Sequence, residues 1–320
     1  MVSTDSNSDI RDIRFENDRL QGVGVEVISH GELTKKEPSL LLGKPERVDF
    51  YFLLLVTSGR GVHTVDFVER RLKTGSLIFV KPGQVQQWYS GEKISAQILL
   101  IDPATLPYTN ELITTREVES LVLFNWQTYT QFSDEMLLKT RDAFQQLRHD
   151  INRFDGSELD VSLIRHELLA LLFRLARWQQ RELNTEILLR PGYDKYQLFL
   201  RTLESRFQQE HSLKFYAKRL GYSESTISRA CLAVEGRTAK VVIDRRIILE
   251  AQRVLAHSSA SVAEVGYLLG FSESTNFIKF FRRMTDLTPT QFRQQKIFQH
   301  TEVDELKSDS ISGAHKKIGR

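Results

Sequence analysis

A short internal repeat constrains this 320-residue chain more than any other feature of its sequence. The segments GYSEST, residues 221–226, and GFSEST, residues 270–275, are offset by 49 residues. Each follows an apolar helical pattern: LKFYAKRL, from Leu213 to Leu220, precedes the first, and SVAEVGYLL, from Ser261 to Leu269, precedes the second. Matching segments of this kind indicate a duplicated structural unit.

Within each copy, the order of residues predicts a helix, a tight turn and a second helix. Gly221 and Gly270 each fall at a helix C-terminus, where a left-handed backbone is easiest without a side chain. Ser223 and Ser272 then fall at the N-cap of a new helix. In a helix-turn-helix unit the second helix lies in the major groove of DNA. One such hairpin is weak evidence because similar turns occur in many folds, but two in tandem predict a DNA-binding domain.

The candidate DNA-contacting residues point outward from the second helix of each copy. In the first helix, Glu224 to Leu232, the core-facing residues are Ile227 and Ala230; in the second, three phenylalanines, Phe277, Phe280 and Phe281, anchor the helix. The outward-facing set is Ser225, Ser228 and Arg229 in the first helix and Thr275, Asn276, Lys279 and Arg282 in the second. Short polar side chains and long cations suit contacts to bases and phosphates.

The segment between the copies, Thr238 to Ser258, is typical of one long helix. Successive major-groove faces on one side of a duplex lie roughly 34 Å apart, so reading two grooves needs a rigid connector of this kind. Residues 191–300 carry 17 Lys and Arg against 10 Asp and Glu, whereas the rest of the chain carries 27 against 31. This distribution favours a polyanion partner for the C-terminal part, although an accidental imbalance of solvated side chains would look the same.

The N-terminal half has a different pattern, typical of β structure. Four runs between Asp49 and Ile101, DFYFLLLV, GVHTVDFV, GSLIFV and SAQILLI, are rich in β-branched and aromatic residues. Turn signals separate them at Ser58–Gly61, Lys73–Gly75 and Lys81–Gln84. Several short strands at this spacing predict a sandwich or a small barrel.

Two helices are predicted after the β runs. The first extends from Ser133, a candidate N-cap, to Phe154. The second, from about Val161 to Trp178, is apolar on much of its circumference, through Leu163, Leu168, Leu171, Leu172 and Leu175. That breadth is explained either by packing against the β domain or by a dimer interface.

The region from Ser212 to Arg293 resembles the DNA-binding domain of the AraC/XylS family of bacterial regulators. The resemblance comprises the first helix-turn-helix, the linker helix RRIILEAQRVL and the closing segment SVAEVGYLLGFSESTNFIKFFRRMTDLTPTQFR, Ser261 to Arg293. It implies that the base-reading positions are Ser225, Ser228, Arg229, Thr275 and Lys279. The chain departs from the family at Cys231, where the first recognition helix usually carries a bulky aromatic residue.

The segment from Gly59 to Trp88 is similar to the regulatory cupin pattern that often precedes this DNA-binding domain. The resemblance implies an α+β two-domain chain: an N-terminal cupin-like β-barrel with trailing helices, and a C-terminal all-α tandem helix-turn-helix domain. The expected boundaries are a sensing and dimerisation domain at 1–183, a linker at 184–194, the DNA-binding domain at 195–296 and a polar tail at 297–320.

Together these features predict a regulator rather than an enzyme. A cupin enzyme would need several histidines and a carboxylate around a metal, whereas this region offers His63 alone, with Gln86 where the pattern often has a histidine. We therefore predict no metal and no cofactor. Aromatic residues such as Tyr51, Phe52 and Trp88 are candidates for a pocket lining, but they are equally typical of a core, so any ligand stays unidentified. The lone Cys231 is predicted to be a buried apolar residue rather than a redox switch.

The expected partners are double-stranded DNA, RNA polymerase, a small-molecule effector and a second copy of the chain, but not a membrane. No run is long enough to span a bilayer and the polar N-terminus lacks a secretory signal, so the sequence predicts a cytoplasmic protein. The resemblance implies activation more often than repression. Two alternatives stay open: a regulator without a ligand, controlled by abundance or a protein partner, and a metal-dependent cupin enzyme with an attached DNA-binding module.

Overall fold

The computed structural model describes residues 11–17, 22–36, 43–89, 93–106, 123, 126–182 and 190–295. The chain divides into two compact units, Met1–Leu188 and Leu189–Arg320. Most of the predicted linker and all of the predicted polar tail, 297–320, lie outside the described residues. None of the described helices is long and apolar enough to cross a membrane.

The described part of the first unit is built on one nine-stranded sheet. Its strands are β1 (Arg11–Ile13), β2 (Val25–Ser29), β3 (Glu46–Val48), β4 (Tyr51–Val65), β5 (Val68–Lys73), β6 (Ser76–Val80), β7 (Val85–Trp88), β8 (Lys93–Ile101) and β9 (Tyr129–Gln131). Strand β4 is central: its first half pairs with β6 and β8, and its second half pairs with β5 and β7. All pairs are antiparallel except β1 with β3.

The turn predicted at Ser58–Gly61 is wrong, because the chain passes through it as a single 15-residue strand. A register shift falls between Val56 and Ser58. Gly59, with φ of 90°, is needed here because an added Cβ would lie 2.1 Å from the carbonyl oxygen of Lys93 on the neighbouring strand. A glycine inside a strand thus marks an irregularity and a close backbone approach, not a turn.

The turn between β4 and β5 lies instead at Asp66 and Phe67, inside a run predicted as strand. Both residues have positive φ, 47° and 69°, and Val65 pairs with Val68, so this is a two-residue hairpin. The turns predicted at residues 73–75 and 81–84 are confirmed.

The sheet curls, and both of its faces are buried at the centre of β4. Leu53 and Leu55 belong to a cluster shared with the helices, whereas Phe52, Leu54 and Val56 point into a second cluster enclosed by the curl. Burial on both faces explains why the run is continuously apolar instead of alternating. The prediction of a cupin-like β domain is confirmed.

Within the described ranges, three α-helices accompany the sheet: α1 (His30–Lys36), α2 (Asp134–Arg153) and α3 (Glu158–Glu182). As predicted, the Ser133 hydroxyl caps α2 by accepting a hydrogen bond from the amide of Met136, at 3.3 Å. Four of the leucines predicted on α3, Leu168, Leu171, Leu172 and Leu175, are buried in the cluster shared with α2 and the sheet. Leu163, by contrast, is 45% exposed. Most of the leucine-rich surface is therefore used within the unit.

The contact between α2 and α3 also brings two carboxyl groups together. Burial, followed by a hydrogen bond and like charge from Asp150, raises the pKa of Glu167 to about 7, against a smaller opposing effect of Arg174. The folded state therefore holds the Glu167 proton more tightly than the unfolded chain does. The bound proton therefore adds to the stability of the fold. This stabilisation is fully present below the unfolded pKa of Glu167 and is lost as the pH rises through about 7.

We expect the variant Glu167→Gln to raise Tm at pH 8, because a glutamine brings no negative charge next to Asp150. The rise is about 2 °C and no more, because solvent screens a partly exposed group. The gain shrinks towards pH 5, where the folded protein already carries the proton. Asp150→Asn, which removes the partner, is expected to behave in the same way. Thermal unfolding followed by circular dichroism at both pH values checks this, and an equal Tm difference at pH 5 and pH 8 would contradict it.

The described part of the second unit is all helical. Its helices are α4 (Tyr193–Arg206), α5 (Leu213–Leu220), α6 (Glu224–Glu235), α7 (Ala239–His257), α8 (Val262–Leu268), α9 (Ser274–Thr285) and a last helical segment at 289–295. Helix α7 packs against α5 and α6 of the first repeat and against α8 and α9 of the second. The connector predicted between the two repeats is confirmed as one long helix.

Candidate DNA-binding and effector sites

The first repeat forms α5, a tight turn and α6. Gly221 ends α5 with φ of 71°, and the amide of Tyr222 donates to the carbonyl oxygen of Ala217 at 2.9 Å. The Ser223 hydroxyl caps α6 by accepting from the amide of Thr226 at 3.1 Å. Both predictions for this turn are confirmed. The inward face of α6 is buried at Ile227, Ala230 and Cys231.

The second repeat forms α8, a turn and α9, with a different cap. Gly270 has the predicted positive φ, 80°. The N-cap of α9 is Glu273, however, not Ser272, so the prediction for Ser272 is wrong. The first amides of α9, from Asn276 and Phe277, donate to the carbonyl oxygen of Glu273, which starts the helix one residue later than in the first repeat. Phe277, Phe280 and Phe281 are buried, as predicted.

The seven candidate DNA-contacting residues are distributed over the outer faces of α6 and α9. Six are exposed, and Ser228 is half-buried. Within the described ranges, the cations Arg229, Lys279 and Arg282 form no ion pair, whereas the neighbouring Arg283 is 3.3 Å from the carboxylate of Asp244. The two helices therefore present unneutralised cations beside small hydroxyl and amide groups.

Polar contacts fix α7 against the second repeat. Asp244, on α7, is buried, and its carboxylate accepts from Lys240 at 2.7 Å and from Arg283 at 3.3 Å. The guanidinium of Arg293 donates to the carbonyl oxygen of Leu255 at 3.0 Å. These contacts tie α9 and the last helical segment to the connector.

A second link between the repeats runs through the segment that joins α4 to α5. The ring of His211 lies 4.8 Å from that of Phe271, and Lys240 donates to the carbonyl oxygen of His211 at 3.3 Å. A Cβ added to Gly270 would lie 2.4 Å from the carbonyl oxygen of Gln208. Sequence reasoning missed this contact, because nothing local distinguishes Gly270 from Gly221. The two repeats are therefore joined at a point other than α7.

Arg190 caps the C-terminal end of the first recognition helix. Its guanidinium donates to the carbonyl oxygens of Ala233 and Val234, at 3.1 and 3.0 Å. These carbonyls belong to the last turn of α6, where no intrahelical partner follows. The hydroxyl of Tyr196 adds a hydrogen bond to Glu235, at 2.9 Å. The start of the second unit is thus packed on the end of α6.

We expect Arg190→Ala to lower the free energy of unfolding of the second unit by about 1 kcal/mol, the net value of hydrogen bonds made at an exposed site. Urea unfolding of the full chain, followed by helical circular dichroism, measures the change. Arg219→Ala, which removes another exposed arginine of the same unit, is the control and is expected to change stability by less than about 0.5 kcal/mol. Equal losses in the two variants would contradict the capping role.

The interior of the curled sheet contains a second candidate site. Strand pairing puts His63 opposite Trp88 and Glu46 opposite Gln86, and all four side chains are at least 94% buried. The Trp88 ring lies 4.6 Å from the ring of His63, and the ring of His30 covers it at 5.3 Å. These groups lie among the apolar side chains of the inner cluster.

Several polar atoms in this interior are buried without a hydrogen-bond partner in the described part of the chain: both ring nitrogens of His63, the amide oxygen of Gln86 and the indole nitrogen of Trp88. Burial lowers the pKa of His63 to about 4, against a smaller opposing effect of the Gln86 side chain. His63 is therefore neutral at pH 7, and the cluster offers both donors and acceptors.

The predicted aromatic lining divides between the two faces of the sheet. Phe52 lies 6.1 Å from Trp88 in the interior, but Tyr51 stacks on Phe79 on the face covered by helices. In the ranges that the structure describes, no three His, Cys, Asp or Glu side chains are grouped as a metal site would require. Cys231 is buried, as predicted, and burial raises the pKa of its thiol to about 12.

A curled β domain joined to two helix-turn-helix repeats defines a class of protein, the DNA-binding transcription regulator with a ligand-binding domain. Residues 216–295 match a family model described as a helix-turn-helix domain. Residues 42–189 match one described as an AraC-like ligand binding domain. The chain belongs to the AraC family of bacterial transcription regulators, a family of transcription factors and not of enzymes.

The chain is similar to several curated proteins and solved structures. The HTH-type transcriptional activator RhaS of Escherichia coli (strain SE11) is 22% identical over 250 residues, which cover 77% of this chain and 86% of the relative. RhaS of strain ED1a is 23% identical over the same shares. ToxT of Vibrio cholerae O395 is 12% identical over 78% of this chain and 90% of that one, with a TM-score of 0.39. The DNA-binding domain of AdpA, solved with a target DNA, is 24% identical over 32% and 91%, with a TM-score of 0.29.

Proposed function

We propose that α6 and α9 read two successive major grooves of one DNA site through the seven residues Ser225, Ser228, Arg229, Thr275, Asn276, Lys279 and Arg282. The observation that carries this proposal is that Arg229, Lys279 and Arg282 are exposed and form no ion pair within the described ranges. A guanidinium or ammonium in a major groove pairs with guanine or phosphate oxygens. Serine, threonine and asparagine add hydrogen bonds that discriminate bases.

The geometry of the connector supports simultaneous binding by both helices. Helix α7 packs on both repeats, and the contacts of His211 and Gln208 join them a second time. A connection fixed at two points presents the two recognition helices at one separation. A DNA site with two half-sites about one helical turn apart is therefore the proposed target.

A small-molecule effector is proposed to bind in the interior of the curled sheet. Buried polar atoms without partners cost free energy unless a ligand or water satisfies them, and His63, Gln86 and Trp88 supply three such groups. Their neutral donors and acceptors, beside an aromatic ring, fit an uncharged polar molecule. Binding would shift the population of a DNA-binding state, which is the proposed mode of control.

The remaining parts of the proposal follow from the family and from the chain. The RhaS relatives are activators, so activation through contact with RNA polymerase is the proposed outcome of DNA binding. We propose a homodimer and a cytoplasmic location, where the chromosome is accessible. We also propose the domain boundaries 1–183, 184–194 and 195–296. A fragment for DNA-binding work should nevertheless include Arg190, because its guanidinium caps α6.

The decisive experiment is a genome-wide map of bound DNA in the native cell, followed by a salt titration on the best site. We expect sharp peaks upstream of a few operons, and an affinity for the best site that exceeds nonspecific binding by about 10³-fold or more. Diffuse binding, with a steep salt dependence and no preferred site, would mean that only electrostatic attraction operates and would overturn the proposal.

A further inference from the structure

A cavity lies between the first half of α2 and the second half of α3, outside the interior of the sheet. Its volume is about 350 Å³, which is at the lower end of the range that small ligands occupy. The floor is apolar and is formed by Met136, Ala143, Leu171, Leu175 and Trp178. The last three come from one face of α3, and Trp178 is held in place by the ring of Phe132, 4.7 Å away.

The rim of this cavity is cationic. Arg174, Arg177 and Arg181 line it from α3, and all three are exposed. In the part of the chain that the structure describes, none of the three lies within 4.0 Å of a carboxylate oxygen, although Arg174 is close enough to Glu167 to act against the rise of its pKa. Cations near a helix C-terminus are favoured by the helix dipole, but that effect is confined to about the last turn. It accounts for Arg181 and not for Arg177 and Arg174, which lie about one and two turns earlier.

The wall of the cavity also contains a buried hydroxyl group. Thr140 lines the cavity and is 98% buried, and its hydroxyl has no hydrogen-bond partner among the described residues. A threonine inside a helix commonly donates to the carbonyl four residues earlier, so a free hydroxyl here is available to a ligand. On the same helix, Lys139 is already paired with Glu135 and therefore adds little net charge to the rim.

We infer that this cavity binds a small amphipathic anion, with a carboxylate group on an apolar body. The carboxylate would lie between the guanidinium groups of Arg174 and Arg177, which suit bidentate pairing, and would accept from Thr140. The body would cover Leu175 and Trp178. An uncharged molecule would leave the arginines unpaired, and an anion without an apolar body would leave the floor in contact with water.

Calorimetric titration of the full chain tests this inference with octanoate and 4-phenylbutyrate as probes. Octanamide has the same body without the charge, and acetate has the charge without the body. We expect saturable binding of at least one carboxylate probe, and at least about tenfold weaker binding of octanamide and of acetate. The double variant Arg174→Gln/Arg177→Gln is expected to weaken binding of the probe by about tenfold or more, and Thr140→Val by a smaller factor.

Arg153→Gln is the matched control, because Arg153 is an exposed arginine at the other end of α2 and does not line the cavity. It is expected to bind the probe as the unchanged protein does. Three results would overturn the inference: no saturable binding of either carboxylate, equal binding of octanamide, or an affinity unaffected by the double variant, which would place the probe elsewhere. No readout involves DNA, so the result is independent of the DNA-binding proposal.

Discussion

Replacing Gly270 by alanine is expected to destabilise the second unit by more than about 3 kcal/mol, whereas the same change at Gly221 costs about 1 to 2 kcal/mol. Both glycines have positive φ, 80° and 71°. An alanine at either position is destabilising, because its Cβ is crowded in the left-handed conformation. At Gly221 the new Cβ meets nothing within 4 Å. At Gly270 it lies 2.4 Å from the carbonyl oxygen of Gln208, a backbone atom that cannot rotate away.

Urea unfolding of both variants measures this difference, since the two positions are equivalent in the repeat and each serves as the other's control. Specific DNA binding should follow the same order, with Gly221→Ala retaining most of its affinity at a temperature where Gly270→Ala is partly unfolded. If the two variants lose equal stability, the contact between Gly270 and Gln208 does not constrain the unit, and α7 alone holds the repeats together.

The same pair of glycines indicates how far sequence reasoning reaches in this chain. The helix-turn-helix units could be predicted because their signals are local: a glycine at a helix end, a serine cap and apolar residues at helical spacing. Gly221, Ser223 and the buried face of α6 were identified from these signals. The close approach of Gly270 to Gln208 joins residues about sixty positions apart in the chain, and no local pattern carries that information.

Gly59 illustrates a related failure in the β domain. The sequence SGRG is typical of a turn, but a glycine also permits a bulge and a close backbone approach within a strand. Which of these occurs depends on the partner strand, here β8 through Lys93. The true turn at Asp66–Phe67 carries no glycine, so its sequence gave no comparable signal.

The interior cluster around Trp88 was only partly visible in the sequence. His63, Gln86 and Trp88 were singled out one by one, but their meeting depends on the register of β4 with β7. Register is set by pairing across the whole sheet, and a one-residue slip would turn these side chains to the opposite face. The burial of His63, which keeps its imidazole neutral, follows from that register and not from the residues near it in sequence.

Combining Arg229→Ala with Lys279→Ala is expected to lower specific DNA affinity by the sum of the two single losses. Each single variant should lose about 1 to 3 kcal/mol if its side chain reads a base, so the double variant should lose about 2 to 6 kcal/mol, or roughly 30-fold to 10⁴-fold. Additivity is expected because the residues lie on separate helices and share no contact in the described structure. Fluorescence anisotropy on the best genomic site measures all three variants, with Arg153→Ala as a control for charge.

The pattern of losses distinguishes how the two repeats are used. Additive losses mean that α6 and α9 are both engaged in one complex, as a connector fixed at two points requires. A double variant no weaker than the Lys279→Ala single variant would mean that only the second repeat contacts DNA, and that the first serves to support it. Unchanged affinity in both single variants, with folding intact, would contradict the assignment of Arg229 and Lys279 as DNA contacts, but it would not contradict the fold. A salt slope that falls by about one unit in a single variant would show that its side chain contacts a phosphate rather than a base.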